Sequence, residues 1–166
     1  MPEGPEVKKV AKRLDNLVRG LTLNSVKINS GRYTKKLPKN YDNFIENLPL
    51  TIKSVNCYGK FIWWEFFNDE NESDLTLWNT LGMTGYWTSD KNIKHNNVTF
   101  KFSNGLEMSF NDYRNFGNII FCSKENLEKK LDSFGPDILK IPSNDEKNKQ
   151  TIGLDKFKYK LGRKRS

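Results

Sequence analysis

Residues 51 to 123 are a succession of short aromatic and β-branched runs, and nothing else in the chain constrains its fold as strongly. The runs are "TIKSVNCYGKFIWWEFF", "DLTLWNTLGMTGYWT", "NNVTFKFSN" and "LEMSFNDYRNFGNIIFCS", punctuated by "NDEN" and "SNG". Rings and branched side chains pack well on a pleated surface, and Asn, Asp, Ser and Gly mark the turns between strands. "LTLNSVKINS" reads as a further strand, and "NYDNFIENLP" as a short helix with Asn40 at its cap. Two helical segments bracket the set. The expected architecture is α+β, mainly β: a two-layer antiparallel β-sandwich flanked by two helices.

The first bracket is "EVKKVAKRLDNLVRGL", with Val7, Val10, Ala11, Leu14, Leu17 and Val18 at helical spacing. Pro5 suits a first turn, where its missing N–H is not needed, and Gly20 suits the stop. A helix starting this early ties down the residues before it. "KENLEKKLDSFG" is the second bracket. No internal repeat is visible. From about Lys140 the composition turns polar; residues 140–153 read as a linker. Residues 154–166, "LDKFKYKLGRKRS", open a helical pattern through Leu154, Phe157 and Leu161, too short to be stable alone. The domain therefore spans 1–139, followed by a linker and the stub of a second domain.

The formal net charge of +8 admits two readings, a solubility device or a polyanion partner whose phosphates lose counterions to Lys and Arg. The longest apolar run, "FIWWEFF", is broken by Glu65, so no membrane span is expected. With no apolar signal region at the start, and Cys57 and Cys122 far apart, an intracellular reducing compartment is expected. Two cysteines cannot build a four-cysteine zinc site, and no cofactor or metal is expected.

Five stretches carry possible chemistry, each beside an ordinary alternative. In "MPEGPEV", loss of Met1 leaves Pro2 with a free secondary amine, and α-amino groups titrate near roughly 7.7–8. Such an amine can attack a sugar C1′ to give an iminium, with Glu3 beside it as proton donor. The plain alternative is a stiff lead-in to a helix; another is a proline base acting on small carbonyl compounds. Lys60 in "CYGKFIWW" is either a surface lysine or a phosphate contact on a hairpin tip. In "NTLGMTGYW", Gly82 and Gly85 flank Met83, which is either a core residue beside a turn or an apolar wedge for a base stack. In "NDYRNFG", Arg114 and Phe116 can pair a base edge with a stacking ring. His95, the one histidine, is by itself an ordinary surface residue.

Together, "PEGPEV", "GKFIWW", "LGMTG", "KHNNVTFKF", "NDYRNFG" and "FGPDIL" resemble, in order and approximate spacing, the formamidopyrimidine-DNA glycosylase/endonuclease VIII family over residues 1–139. The resemblance implies a bifunctional glycosylase/AP lyase of base-excision repair, acting as a monomer on double-stranded DNA with an oxidised base or abasic site. It implies that Pro2 is the nucleophile, Glu3 the general acid, Glu6 a supporting acid and Lys60 a phosphate grip. Met83, Arg114 and Phe116 match residues that fill the space left by a flipped nucleotide, and His95 and Asn115 fall at DNA-binding positions. Two departures concern the lesion and the charge: Gly4 follows the endonuclease VIII pattern while "LGMTG" follows the formamidopyrimidine one, and Asn115 stands where the family often has a second arginine. The family continues into a helix–two-turn–helix domain, of which "FKYKLGRKRS" resembles the opening. A non-catalytic damaged-DNA-binding module is the alternative.

Overall fold

A computed structural model describes residues 3–93 and 96–135. The elements run α1 (Gly4–Val18), β1 (Thr22–Ile28), a single 3-10 turn (Arg32–Thr34), α2 (Tyr41–Glu46), β2 (Leu50–Tyr58), β3 (Phe61–Asn68), β4 (Asn71–Thr80), β5 (Tyr86–Thr88), β6 (Asn96–Phe102), β7 (Glu107–Asn111), β8 (Asn118–Ser123) and α3 (Lys124–Asp132). Among the described residues, eight strands form one antiparallel sheet in the order β5-β7-β6-β1-β2-β3-β4-β8. The two expected layers are its two halves. The β1–β2 seam carries only the pairs Thr22↔Thr51 and Leu23↔Leu50. Beyond it the halves diverge and face each other. Trp87 on β5 lies 5.5 Å from the Trp64 ring on β3, and Trp64 lies 5.3 Å from Phe100 on β6. The Trp87 indole N–H donates across the gap to Asn79 Oδ1 on β4 at 2.9 Å, so this large ring is buried with its polar atom satisfied.

Helix α1 fills the notch where β1 leaves β2. Val7, Ala11, Leu14 and Val18 are fully buried along one stripe, each large aliphatic stabilising by roughly 2 kcal/mol. Leu17 departs from the expected stripe and stays 44% exposed, because it lies on the turn's outer side. The amide of Val55, further along β2 than its pairs with β1, donates to Asp15 Oδ1 at 2.8 Å. Arg19 then covers the Asp15 carboxylate at 2.8 Å. A buried acid therefore satisfies this strand amide, and burying it without both partners would be costly. Gly20 takes φ 82 just past the helix, the stop its position implied. The short helix α2 does form with Asn40 at its N-cap position, but the Asn40 side chain makes no capping bond: the residue adopts φ 64, and its side-chain amide donates to the Phe121 carbonyl. Phe44 of α2 stacks on Phe121 at 4.3 Å.

On the outer face of β3, Glu65 meets Lys53 at 3.7 Å and Lys124 at 4.0 Å, accepts a bond from the Trp63 indole at 3.0 Å, and shares both lysines with Glu72. Burial pushes the Glu65 carboxyl up, but Lys53, Lys124 and these bonds outweigh it and hold it below its usual range. A depressed carboxyl stabilises the fold above its unfolded-state value of about 4.3, and the contribution is lost as pH falls through the lower folded value. Glu65→Gln should therefore cost about 1 kcal/mol at neutral pH, a figure discounted for partial exposure, with the difference shrinking below about pH 4. Urea melts of both proteins across that range test this; a constant gap would show that packing, not charge, is lost.

The chain divides into compact units of residues 1–130 and 131–166. In the second, the Phe134 and Gly135 amides close a turn onto the carbonyls of Leu131 and Asp132. The expected linker and second-domain stub lie outside the described residues. No described helix is long and apolar enough to cross a membrane.

Candidate active site

The acidic residues of "PEGPEV" are brought to the tip of a hairpin. Glu3 is the extended residue before α1, and its N–H donates to Glu6 Oε1 at 2.8 Å, so Glu6 locks the chain's direction on entering the helix. Two carboxylates at a helix N-terminus are favoured by its unpaired amides. Tyr58 and Phe61 pair across β2 and β3, leaving a two-residue turn with Gly59 at φ 58 and Lys60 projecting. Lys60 Nζ lies 3.7 Å from Glu3 Oε1, with side chains 46% and 68% exposed. An ion pair this solvated is weak. Pro2 lies outside the described residues, one peptide bond from Glu3.

Met83 and the pair Arg114 and Phe116 occupy two loops, residues 81–85 between β4 and β5 and residues 112–117 between β7 and β8. The loops touch backbone to backbone. A Cβ on Gly82, which has φ 63, would sit 2.6 Å from both Gly117 N and Phe116 C. One on Gly117 would sit 2.5 Å from the Thr80 carbonyl oxygen. Asp112 clasps the two loops: its buried carboxylate accepts from Thr84 Oγ1 at 3.0 Å and from the Gly117 amide at 2.7 Å, while its own N–H donates to Asn97 Oδ1 at 2.5 Å. This clasp lets the loop tips be apolar yet ordered. Met83, the core residue of the plain alternative, is 49% exposed, and Phe116 is 56% exposed with the Arg114 guanidinium 5.5 Å above its ring. Tyr86 and Tyr113 stand out beside them. Exposed apolar groups gathered in one place mark a binding surface.

The ladder places the two groups at one end of the sheet. Ile62, two residues past Lys60 on β3, pairs with Asn79, and the next residue, Thr80, pairs with Asn118, which directly follows Gly117. Hairpin tip and both loops therefore leave the same edge of neighbouring strands.

A third segment, unassigned from the sequence, joins them. The Arg32 N–H donates to Asn115 Oδ1 at 3.1 Å, and its guanidinium donates to the Gly117 carbonyl at 2.6 Å and to Asn118 Oδ1. Asn115 sits at φ 57, a conformation Asn tolerates better than most residues, and its side chain links the 3-10 segment to the loop. Arg32 thus brings a guanidinium to the loop that has Asn115 in place of a second arginine. Gly31, just ahead of Arg32 in "SGRYT", was the one available signal. Asp112 fell within a quoted motif, but its clasping role depends on Asn97 and Thr84, which no spacing connects. His95 lies outside the described residues. Among the described residues no cluster of three His, Cys, Asp or Glu side chains can hold a metal.

A solvated acid–lysine pair at a helix terminus, beside clasped apolar tips and guanidiniums, suits a ligand that is both anionic and flat-faced, as nucleic acids are. Residues 1–119 match the formamidopyrimidine-DNA glycosylase N-terminal domain, and the chain belongs to that family. The formamidopyrimidine-DNA glycosylase of Bacillus licheniformis is 35% identical over 143 residues, covering 82% of this chain and 50% of that one. The chain spans about half the length of the curated relatives it matches. Among solved structures, MutM in complex with carbocyclic 8-oxo-G containing DNA aligns with TM-score 0.67 at 22% identity over 78% of this chain and 47% of that one. Lactococcus lactis formamidopyrimidine-DNA glycosylase, bound non-covalently to DNA with an AP site, aligns with TM-score 0.65 at 22% identity over 78% and 48%. These two establish the fold, α+β and mainly β.

Proposed function

We propose that this chain is the catalytic domain of a bifunctional DNA glycosylase/AP lyase of base-excision repair, acting on double-stranded DNA with an oxidised base or an abasic site. The observation that carries it is the convergence, at one sheet end, of Glu3, Glu6 and Lys60 with the Met83 and Arg114–Phe116 loops. The activity for which the family is named, and the lesion-containing and abasic DNA held in the two aligned structures, support it.

In this reading the Pro2 amine, freed by loss of Met1, attacks C1′. The C1′–N bond to Pro2 forms as the bond to the base breaks, the Pro2 nitrogen shedding its proton and the departing base taking one up; Glu3 supplies a proton as the sugar ring opens, and an iminium results. Loss of a C2′ proton then expels the 3′ phosphate, a second elimination expels the 5′ phosphate, and water releases the sugar fragment from Pro2. Lys60 holds a phosphate beside the lesion, and His95 adds a DNA contact. Met83 and Phe116 fill the vacated stack while Arg114 bonds the edge of the orphaned base.

Borohydride reduction on an abasic oligonucleotide is the direct test. Covalent trapping by a chain whose intact mass lacks Met1 is expected. Trapping by a chain that retains Met1 would refute Pro2 as nucleophile. Duplex binding without trapping would instead leave the non-catalytic damaged-DNA-binding module.

The loop assignment has its own test. Stacking on an aromatic ring is worth about 1–3 kcal/mol per base. Phe116→Ala, and Met83→Ala more mildly, should reduce strand cleavage at duplex abasic sites by roughly tenfold or more while sparing single-stranded substrate, which needs no flipping. Equal losses on both would assign these side chains to folding or chemistry.

A further inference from the structure

Away from the loops, the outer face of the other half-sheet carries a shallow cavity of about 420 Å³. Lys27, Thr99 and Ser109 form a cross-strand row over β1, β6 and β7, opposite the core-facing Val26, Phe100 and Met108. The Thr99 and Ser109 hydroxyls bond each other at 2.8 Å, and Asn29 donates to Thr99 at 2.7 Å, so the floor is a preorganised polar surface. Lys91 and Lys101 line it with Lys27, and Glu107, 3.5 Å from Lys91, is the one acid among the lining residues. Outward-facing residues of a soluble sheet need only be polar; three lysines around one concavity concentrate positive potential there.

The cavity lies beside the strand whose chain runs on to the candidate active site. Lys101 pairs with Ser25, and β1 leads from there through Lys27 to Asn29, whose amide donates to the Asn97 carbonyl, and on to Gly31 and Arg32. At about 3.3 Å per residue the cationic strip extends roughly 13 Å from Asn29 to the level of Ser25. We infer that this strip is a second binding surface, taking the phosphate backbone of the DNA that flanks the central site. This rests on the reading of the loop end as a DNA site. The polar floor, with Ile93 the single aliphatic lining residue, favours a solvated phosphate backbone over a lipid surface, which would need an apolar anchor.

The test compares undamaged duplexes of about 10 and about 25 base pairs, measured as log K against log salt for the parent chain and for Lys27→Gln/Lys101→Gln. Each phosphate contact adds about −0.9 to the slope. The long duplex should bind the parent with the steeper slope, and the double variant should lose about two units of slope on the long duplex and none on the short. Equal melting temperatures would show that the variant is folded, and Lys27→Arg/Lys101→Arg should restore the slope. A slope on the long duplex that does not change in the double variant overturns the strip while short-duplex binding keeps the loop-end reading; equal losses on both lengths also overturn it. If neither duplex binds, both readings fall. Phosphatidylserine vesicles bound by the parent and released by the double variant, with the DNA slopes unchanged, would overturn it in favour of lipid.

Discussion

Glu3→Gln should reduce excision of an oxidised base by roughly 10²- to 10⁴-fold, the range a positioned general acid contributes. The same variant should keep much of its activity on a preformed abasic site, where the base has already gone. The asymmetry follows from geometry. Glu3 has its backbone direction set by Glu6 and its carboxylate near Lys60, yet the side chain stays open to solvent. Gln preserves size and hydrogen-bonding shape, so α1 should keep its start. Excision and abasic-site cleavage measured side by side separate the steps. Parental excision by Glu3→Gln would move the acid to another residue, with Glu6 the next to test.

Gly82→Ala should have the largest effect on the fold. The added methyl meets backbone atoms of Phe116 and Gly117 at 2.6 Å, and backbone cannot swing aside as a side chain can. The position also has φ 63, where a Cβ is strained. Overpacking and strain together should cost about 3 kcal/mol or more, or else spread the two loops apart. Chemical denaturation detects the first outcome. Faster proteolysis near Met83 and Arg114 with an unchanged global midpoint detects the second. A variant with neither change would mean that the loops are not in contact in solution.

These features were unequally legible in the sequence. The strands were readable because their rings and branched residues alternate with turn residues, and α1 because its apolar stripe keeps one period. Leu17 kept that period and still faces solvent, since six apolar positions make a wider stripe than the notch beside β2 can cover. Asn40 has a cap residue's chemistry, but the Phe121 carbonyl, distant in sequence, competes for its side chain. Period and composition likewise said nothing of the seam: that the layers are one sheet depends on how few residues β1 and β2 share. The motifs identified the residues at the site end but not what holds them. Asp112, Asn97 and Arg32 act through partners that only the folded chain supplies.

The clasp has a consequence for when this site comes into being. Arg32 reaches the Gly117 carbonyl across 85 residues of chain, and Thr84 reaches Asp112 across 28. Such long closures are entropically late, because nearly all the intervening chain must be ordered before they return any energy. The loop tips are thus shaped only when the outermost strands have docked. A growing or partly unfolded chain carries Glu3 from the start but has no ordered loop tips. In the proposed reading, the order of folding would then decide when the loop tips could hold a duplex open, because they are shaped last.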